Sequence, residues 1–270
     1  MGRLRAALGI AMAAASVAVV VACSSSGTST EESPIDAPKR AFATDGGSDD
    51  PADAGARADA NNDGSPPTDA TANDGGPFTD DFGRADDPAI GNNWLEKRAD
   101  RFGLVNNAVE QLSVGNYRDN LVWRPAAETT LDVEVTATAR IATLVGDPGV
   151  YARLAPGTAS PGMFVGYTLY SDGPNNAFVD REEGSAPVEL ASVAISPALQ
   201  VGQTYRYTLK VTGTNPVKLE GTIMRSDGTT IATITVNDSS AKRIVSAGSV
   251  GFGSGGSLGA RFDDFQRRTF

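Results

Sequence analysis

The sequence contains no histidine and only one cysteine among its 270 residues, and these absences remove several classes of function. Without histidine there is no Ser-His-Asp triad, no Cys-His dyad and no histidine ligand for zinc or haem. One cysteine allows neither an intrachain disulfide nor a thiolate metal cluster. The formal net charge of −10 argues against nucleic-acid binding, which needs clustered lysine and arginine. Carboxylate chemistry, binding by aromatic and hydroxyl groups, and hard cations held by oxygen remain available.

The N-terminus carries two basic residues followed by a long apolar run. Arg3 and Arg5 are the only charges before residue 31, and residues 6–22 are apolar or small. This pattern is typical of a secretory signal, although a run of 17 residues also lies at the lower limit for a spanning helix. Residues 20–23, with the sequence VVAC, resemble the lipobox of bacterial lipoproteins.

The lipobox resemblance implies that residues 1–22 are a signal peptide and that cleavage leaves Cys23 as the new N-terminus. The sulfur of Cys23 would then carry a diacylglycerol, and the acylated chain would bind the membrane stably. We therefore expect a lipid-anchored protein of the cell envelope, and Ser24 after the cysteine favours sorting to the outer membrane. The alternative is an uncleaved anchor helix in which Cys23 is incidental.

Residues 23–77 are predicted to form a disordered tether. They are rich in Asp, Ala, Gly, Ser and Pro, and Ile35 and Phe42 are their only large apolar residues. Such a segment buries too little apolar surface to offset the entropy of ordering the chain. Eleven acidic and three basic residues give it a charge of −8, so most of the net charge lies here. The stretch 59–65, DANNDGS, echoes an EF-hand loop but lacks the glutamate and the helices of that motif.

Residues 78–270 are predicted to form one all-β domain. Leu131, Val133 and Val135 alternate with polar residues, which is the period-two pattern of a half-buried strand. Short runs rich in Val, Ile, Thr, Tyr and Phe recur between Gly, Pro, Asn and Asp turns, and no helical periodicity is sustained. The predicted strands lie at 129–141, 150–154, 163–170, 177–182, 188–195, 204–211, 217–224, 230–236 and 260–266.

Several short motifs of this region resemble Concanavalin A-like (LamG-like) jelly-roll domains of secreted bacterial proteins. Residues 79–86, TDDFGRAD, and 91–94, GNNW, resemble the opening of these domains, and residues 150–153, 205–211 and 261–265 resemble three later strands. The resemblance implies a two-sheet antiparallel jelly-roll sandwich in which the first and last strands are neighbours. Carbohydrate binding is common on this fold, which also hosts glycosidases.

Two aspartate pairs stand at the ends of the domain, each followed by phenylalanine. Asp80 and Asp81 open it, and Asp263 and Asp264 close it. Adjacent carboxylates repel unless a cation or hydrogen-bond donors compensate. The family resemblance implies a structural Ca²⁺ site, for which Asp81 and Asp263 are the candidate ligands. The alternative is that these aspartates bind turn amides or arginines such as Arg84 and Arg261.

Catalytic carboxylates are hard to assign. Family 16 glycosidases of this fold carry E-x-D-x-E on one strand, and Asp132 and Glu134 match its second half, but Thr130 stands where the first glutamate is needed. We interpret the pair as the polar face of a strand. The acidic cluster 180–183, DREE, is interpreted as a solvated strand edge that neutralises itself. A complete catalytic motif is therefore missing from the sequence, which favours a non-enzymatic role.

Aromatic residues are the candidate ligand contacts, because flat rings stack on the apolar faces of sugars. Trp123, Tyr151 and Tyr170 are the selected candidates, with Arg153 as the polar partner. Tyr151 and Arg153 are two residues apart and are expected to share a face, and the resemblance implies that Arg153 points into the concave groove. Alternation along the strand predicts that Tyr170 points outward and Tyr167 into the core.

The sequence thus predicts a lipid-anchored envelope protein with a jelly-roll domain that binds a glycan or polysaccharide without catalysis. A carbohydrate-active hydrolase of the same fold and a structural or adhesion module that binds protein are the alternatives.

Overall fold

The protein is described here from a computed structural model that covers residues 76–115, 120–125, 128–156, 164–184, 186–256, 258 and 260–270. The predicted signal peptide 1–22, Cys23 and the tether up to residue 75 lie outside these ranges. Within the described residues there are 15 strands. The same ranges contain no helix that is long and apolar enough to span a bilayer.

The strands form two antiparallel sheets that pack face to face. The first sheet has eight strands. Seven of them follow in spatial order: β13 (Thr230–Asp238), β12 (Val217–Arg225), β11 (Thr204–Thr212), β6 (Val133–Arg140), β15 (Arg261–Thr269), β4 (Val109–Gln111) and β3 (Phe102–Leu104). The eighth, β1 (Phe78–Asp80), pairs with β15. The second has seven strands, in spatial order: β10 (Pro187–Ala194), β9 (Asn176–Glu183), β8 (Phe164–Asp172), β7 (Gly149–Pro156), β14 (Ser249–Gly253), β5 (Leu121–Trp123) and β2 (Leu95–Glu96). The predicted all-β jelly-roll sandwich is confirmed.

Period-two alternation builds the core between the sheets. In β11 the side chains of Tyr205, Tyr207, Leu209 and Val211 are buried, while those between them are more exposed. The apolar residues of β12 and β6 follow the same rule. Because every second side chain of a strand points to the same face, each sheet gives one apolar face to the other.

The two ends of the domain meet in an aromatic cluster. Strand β1 pairs with β15 in antiparallel register, with Asp80 opposite Phe265, as expected for neighbouring first and last strands. Trp94 packs edge-on against Phe265 and Phe252, with ring centroids 4.8 Å and 5.1 Å apart. Such aromatic contacts add about 1 kcal/mol each beyond the area that they bury.

A β-bulge in β15 explains how both aspartates of the closing motif stay outside the core. The register against β6 shifts between Asp263 and Gln266, and Asp264 has a positive φ of 48°. The extra residue breaks the alternation, so Phe262 and Phe265 both point inward although they are three residues apart.

Candidate functional site

The outer face of the second sheet carries a straight row of side chains across six strands. Residues that are directly opposite on neighbouring strands lie on the same face, about 4.8 Å apart from strand to strand. The central row consists of Trp123 (β5), Gly251 (β14), Tyr151 (β7), Thr168 (β8), Asp180 (β9) and Glu189 (β10). The next row consists of Leu121, Gly253, Gly149, Tyr170, Phe178 and Ser192. We call these two rows the second-sheet face.

Glycines in the middle of this face allow the neighbouring groups to approach closely. A Cβ added at Gly251 would lie 2.0 Å from the carbonyl oxygen of Val122, and one at Gly253 would lie 2.3 Å from that of Asn120. The latter would also lie 3.3 Å from the ring atom Cε2 of Tyr151. The aromatic residues therefore border a strip of the sheet that has no side chains of its own.

Aromatic rings occupy both sides of the glycine strip. Tyr151 packs edge-on against Phe164, with centroids 5.4 Å apart, and Trp123 is half-buried against the same cluster. On the other side, Tyr170 stacks on Phe178 at 5.4 Å with the rings 21° from parallel. Trp123, Tyr170 and Phe178 are half-buried, whereas Tyr151 is only 1% exposed. The first three rings thus keep accessible surface for a ligand.

Two buried oxygen atoms on this face have no hydrogen-bond partner among the residues that the structure describes. The phenolic hydroxyl of Tyr170 donates to Oδ2 of Asp180 at 3.0 Å. Oδ1 of Asp180 and Oγ1 of Thr168, by contrast, have no hydrogen-bond partner within the described residues. Asp180 and Thr168 are only 3% and 2% exposed. Unsatisfied buried polar atoms are rare in native proteins and each costs about 1–3 kcal/mol.

The electrostatics of this face make Asp180 unusual. Burial, together with the smaller effect of the Glu189 charge, raises the pKa of its carboxyl group to about 6, although the hydrogen bond from Tyr170 lowers it. At neutral pH the group is therefore ionised at a cost in free energy. It is the type of carboxylate that gains most from a hydrogen-bond donor brought by a ligand.

The interpretation of residues 180–183 as a solvated strand edge was wrong, although part of the expected charge neutralisation is present. Strand β9 lies between β8 and β10 inside the sheet, and its alternation separates the charges onto two faces. Asp180 and Glu182 are buried on the outer side, at 3% and 2% exposure. Arg181 points to the opposite side, where it donates to Oδ2 of Asp238 at 2.7 Å and pairs with Glu183. The pleat of the strand therefore lets Arg181 neutralise Glu183 but separates it from Asp180 and Glu182.

The expected orientation of Arg153 was also wrong. A β-bulge shifts the register of β7 between Ala152 and Ala155, and Arg153 takes a positive φ of 49°. Its side chain, 1% exposed, points towards the first sheet. There it donates to the backbone carbonyls of three residues, which are Leu131, Ile244 and Gly213, at 2.6–2.8 Å. Arg153 and Tyr151 therefore do not share a face, and Arg153 offers no surface to a ligand.

The other predicted contact residues do come together. Trp123, Tyr151 and Tyr170 all lie on the second-sheet face, and Tyr167 points into the core, where its hydroxyl donates to Asp238 at 2.9 Å. Sequence reasoning missed Phe178 and Asp180 as parts of this face. The alternation of β9 places them on one side, but nothing in the sequence states which strand lies beside them. Ligand binding by the three aromatic residues stays a prediction.

The residues proposed for calcium do not assemble a complete ligand set. Asp81 and Asp263 are close enough that the negative charge of Asp81 contributes to a raised pKa of Asp263, after burial and Asp264. Each carboxylate already accepts a backbone amide, Asp81 from Gly83 at 3.0 Å and Asp263 from Asp264 at 2.8 Å. Among the described residues no group of three or more carboxylates or other metal-binding side chains is found. Calcium prefers six to eight oxygen ligands, so these residues do not fit a structural ion on their own.

The partial glycosidase motif is occupied by structural contacts. Oδ1 of Asp132 accepts the backbone amide of Gly213 at 2.9 Å and lies 3.3 Å from Arg153. Glu134 lies on the outer face of the first sheet, 3.7 Å from Arg268. The two carboxylates therefore stabilise local structure, which agrees with their interpretation as part of a polar strand face.

Comparisons with known proteins bear on the fold. No protein-family profile matches the chain, and no curated protein matches it. Among solved structures, a Bacillus subtilis protein of unknown function with a galectin-like fold is 14% identical, with a TM-score of 0.50 over 71% of this chain and 94% of that one. The carbohydrate-binding module CBM66 from Bacillus subtilis is 15% identical, with a TM-score of 0.49 over 66% and 96% of the two chains. At such low identity these similarities concern the fold alone, and the first of them identifies it as a galectin-like sandwich.

Proposed function

We propose that the sandwich binds a glycan on the second-sheet face and does not transform it. The observation that carries this proposal is one row of the sheet, next to Tyr170: it holds Trp123, then Tyr151, Thr168 and Asp180 beyond the glycine of β14. It combines partly exposed ring surface with two buried oxygens that have no partner in the described part of the chain. Sugar sites need this combination, because a pyranose presents apolar C–H faces and polar hydroxyl edges.

Each group on this face has a role that its chemistry supports. The partly exposed rings of Trp123 and Tyr170 stack on the apolar face of a sugar ring. Oδ1 of Asp180 accepts a hydrogen bond from a sugar hydroxyl, and Oγ1 of Thr168 either donates or accepts one. Specificity then comes from the hydroxyl pattern that satisfies both oxygens, because a mismatched sugar leaves a buried group unpaired.

A glycan array probed with the full-length chain in detergent tests this proposal. Wild-type protein is expected to bind at least one polysaccharide class, and Tyr170→Ala and Asp180→Asn are expected to weaken that binding at least tenfold. Thr233→Ala, an exposed change on the outer face of the first sheet, is the matched control and should bind as wild type does. Absence of binding to every glycan would overturn the proposal, as would equal binding by wild type and Asp180→Asn.

Fluorescence locates the site independently. The chain has two tryptophans, and Trp94 is 8% exposed inside the aromatic core. A bound sugar should therefore change mainly the emission of Trp123. The change should disappear in Trp123→Phe, and its persistence in that variant would place the sugar elsewhere.

We further propose that the protein is anchored by a lipid on Cys23 and exposes the sandwich from the cell envelope, at the outer membrane. The support is the sequence pattern: two arginines, an apolar run and a lipobox-like ending at the chain's single cysteine. Two or more acyl chains hold a protein on a membrane far more firmly than one. Cys23→Ser should leave uncleaved or released protein, and mass spectrometry of the wild-type N-terminus should show the lipid. An unmodified Cys23, or unchanged membrane retention of Cys23→Ser, would contradict the anchor.

Hydrolysis is a second candidate, because Asp180 with a pKa of about 6 has the character of a general acid and Glu182 lies on the same face. An oligosaccharide that binds should be incubated with the protein and assayed for new reducing ends. Cleavage by wild type that Asp180→Asn abolishes would favour the hydrolase. An intact oligosaccharide would support binding without catalysis.

A further inference from the structure

The charge of the second-sheet face has one sign. In its two rows the ionisable acidic groups are Asp180 and Glu189. The described residues of these rows include no lysine or arginine. This differs from the rest of the domain, where most buried carboxylates are paired with arginine, such as Asp238 with Arg181 and Glu128 with Arg267. The described residues of the two rows therefore contribute negative charge and no positive charge.

Asp180 is the buried member of this acidic pair, whereas Glu189 is exposed. Its Oδ2 accepts the hydroxyl of Tyr170, which is a neutral donor, and its Oδ1 accepts nothing within the described residues. Oγ1 of Thr168, directly opposite on β8, likewise has no partner among the described residues. A buried carboxylate is stabilised far better by a cation than by a neutral donor, because charge-assisted hydrogen bonds are about twice as strong.

We infer that the second-sheet face selects a sugar that carries a protonated amine, that is, an unacetylated amino sugar, with the ammonium group at Oδ1 of Asp180 and a neighbouring hydroxyl at Oγ1 of Thr168. This inference rests on the proposed glycan binding. The half-buried rings of Tyr170 and Phe178 support it, because their π-faces attract cations as well as apolar sugar surface. The same negative charge disfavours uronic acids and other anionic sugars, whose carboxylates would face Asp180 and Glu189.

The test compares two oligomers of equal length, one of glucosamine and one of N-acetylglucosamine, on the full-length chain at pH 7 and physiological salt. The amine form is expected to bind about tenfold more tightly or better. In Asp180→Asn the preference should fall to near unity. Glu220→Gln is the matched control, because it removes one carboxylate from the outer face of the first sheet and should retain the full preference.

The acidic tether also attracts cationic oligomers, and the variants separate this effect from the site. The tether is identical in wild type, Asp180→Asn and Glu220→Gln, so only the difference between them reports on the face. Equal binding of the two oligomers by wild type would overturn the amine preference and leave glycan binding standing. A preference that survives in Asp180→Asn would assign it to the tether and overturn the inference. If the wild-type protein bound no glycan at all, neutral or cationic, the proposed function itself would be overturned.

Discussion

Trp94 donates its indole Nε1–H to Oδ2 of Asp80 at 2.8 Å, and this bond joins the first strand to the aromatic core. Arg84 and Asn92 donate to the same carboxylate at 2.6 Å and 3.0 Å, and the amide of Phe82 donates at 2.9 Å. The opening motif, which resembles that of LamG-like domains, is thus built around one buried carboxylate. The arginine, asparagine and tryptophan of this motif all donate hydrogen bonds to the Asp80 side chain.

Asp80→Asn should destabilise the domain in a pH-dependent way. Burial alone would raise the pKa of Asp80, but the hydrogen bonds from Arg84, Trp94 and Asn92 outweigh it and leave the pKa below the usual 3.8. A lowered pKa in the folded state means that the carboxylate contributes stability above pH 3.8 and loses it as pH falls through the folded value. Urea unfolding at pH 7 should show a loss of about 2–4 kcal/mol in the variant.

At pH 3 the difference between wild type and Asp80→Asn should shrink. Asp81→Asn is the control, since this neighbouring carboxylate is exposed, and its effect should stay within about 0.5 kcal/mol at either pH. A loss as large for Asp81→Asn as for Asp80→Asn would show that the motif is not organised around Asp80.

Arg153→Lys should lower the free energy of unfolding by about 2–4 kcal/mol, as much as a less conservative substitution would. A guanidinium has donors that reach the carbonyls of Leu131, Ile244 and Gly213 together, whereas an ammonium on a flexible stem satisfies fewer of them while buried. Urea unfolding measures the loss, with Arg206→Lys on the exposed face of β11 as the neutral control. Glycan affinity per folded molecule should be unchanged. A stable Arg153→Lys protein that no longer binds glycan would restore Arg153 to the binding site.

The sequence was sufficient for the long strands and for the meeting of the chain ends. Each of the nine predicted strands has a counterpart, because the residues of β6, β11 and β12 alternate clearly. The short strands β1 to β5 and strand β14 were not predicted. In β14 the sequence SVGFG carries two glycines that lower its strand propensity. These glycines let β5 and β7 approach β14 closely, and this role can be recognised only when the neighbouring strands are known.

The candidate site was partly predictable for a related reason. Alternation within β8 correctly separated Tyr170 from Tyr167, because that strand is regular. Alternation failed to predict the orientation of Arg153, because a bulge adds a residue there and the sequence gives no sign of this bulge. Asp180 could not be placed beside Thr168, because register between strands depends on packing across the whole sheet.

Gly251→Ala should be poorly tolerated. Its Cβ would lie 2.0 Å from the carbonyl oxygen of Val122 and 3.0 Å from Cα of Trp123, so β5 would have to move. We expect a loss of more than about 2 kcal/mol in the free energy of unfolding, and altered emission from Trp123. Gly83→Ala is the control, because its Cβ would meet only the exposed carboxylate of Asp81, at 3.3 Å. Equal stabilities of the two variants would contradict the close packing of β14 against β5.

The calcium hypothesis makes its own prediction at the other end of the domain. An ion held by Asp81 and Asp263 should raise the melting temperature when Ca²⁺ is added to chelated protein. The rise should vanish in Asp263→Asn and persist in Glu110→Gln, which alters a carboxylate of the neighbouring strand β4. No rise in wild-type protein would reject calcium at this position and leave the turn amides as the partners of both aspartates.

Asp180→Asn should stabilise the folded protein at neutral pH while it weakens ligand binding. Burial, followed by the charge of Glu189, raises the folded-state pKa of Asp180 to about 6, against the hydrogen bond from Tyr170. A raised pKa means that stability is greatest while the group is protonated, below pH 3.8, and is lost as pH rises through 6. Asparagine stays neutral, so the variant should be about 1–3 kcal/mol more stable than wild type at pH 7.5, with the advantage fading towards pH 4.

Thermal unfolding across this pH range, together with a binding isotherm for each variant, separates a binding group from a structural one. A carboxylate that serves the fold loses stability when it is neutralised, as predicted for Asp80. Neutralising a carboxylate that serves ligand binding should instead raise the stability of the protein and lower its affinity, because the free-energy cost of burying the charge is offset only in the complex. Glu220→Gln should change neither quantity by more than about 0.5 kcal/mol, since its carboxylate is partly exposed and pairs with Lys218 on the surface. Destabilisation by Asp180→Asn at pH 7.5 would identify Asp180 as a structural residue and remove the strongest argument for a site on the second-sheet face.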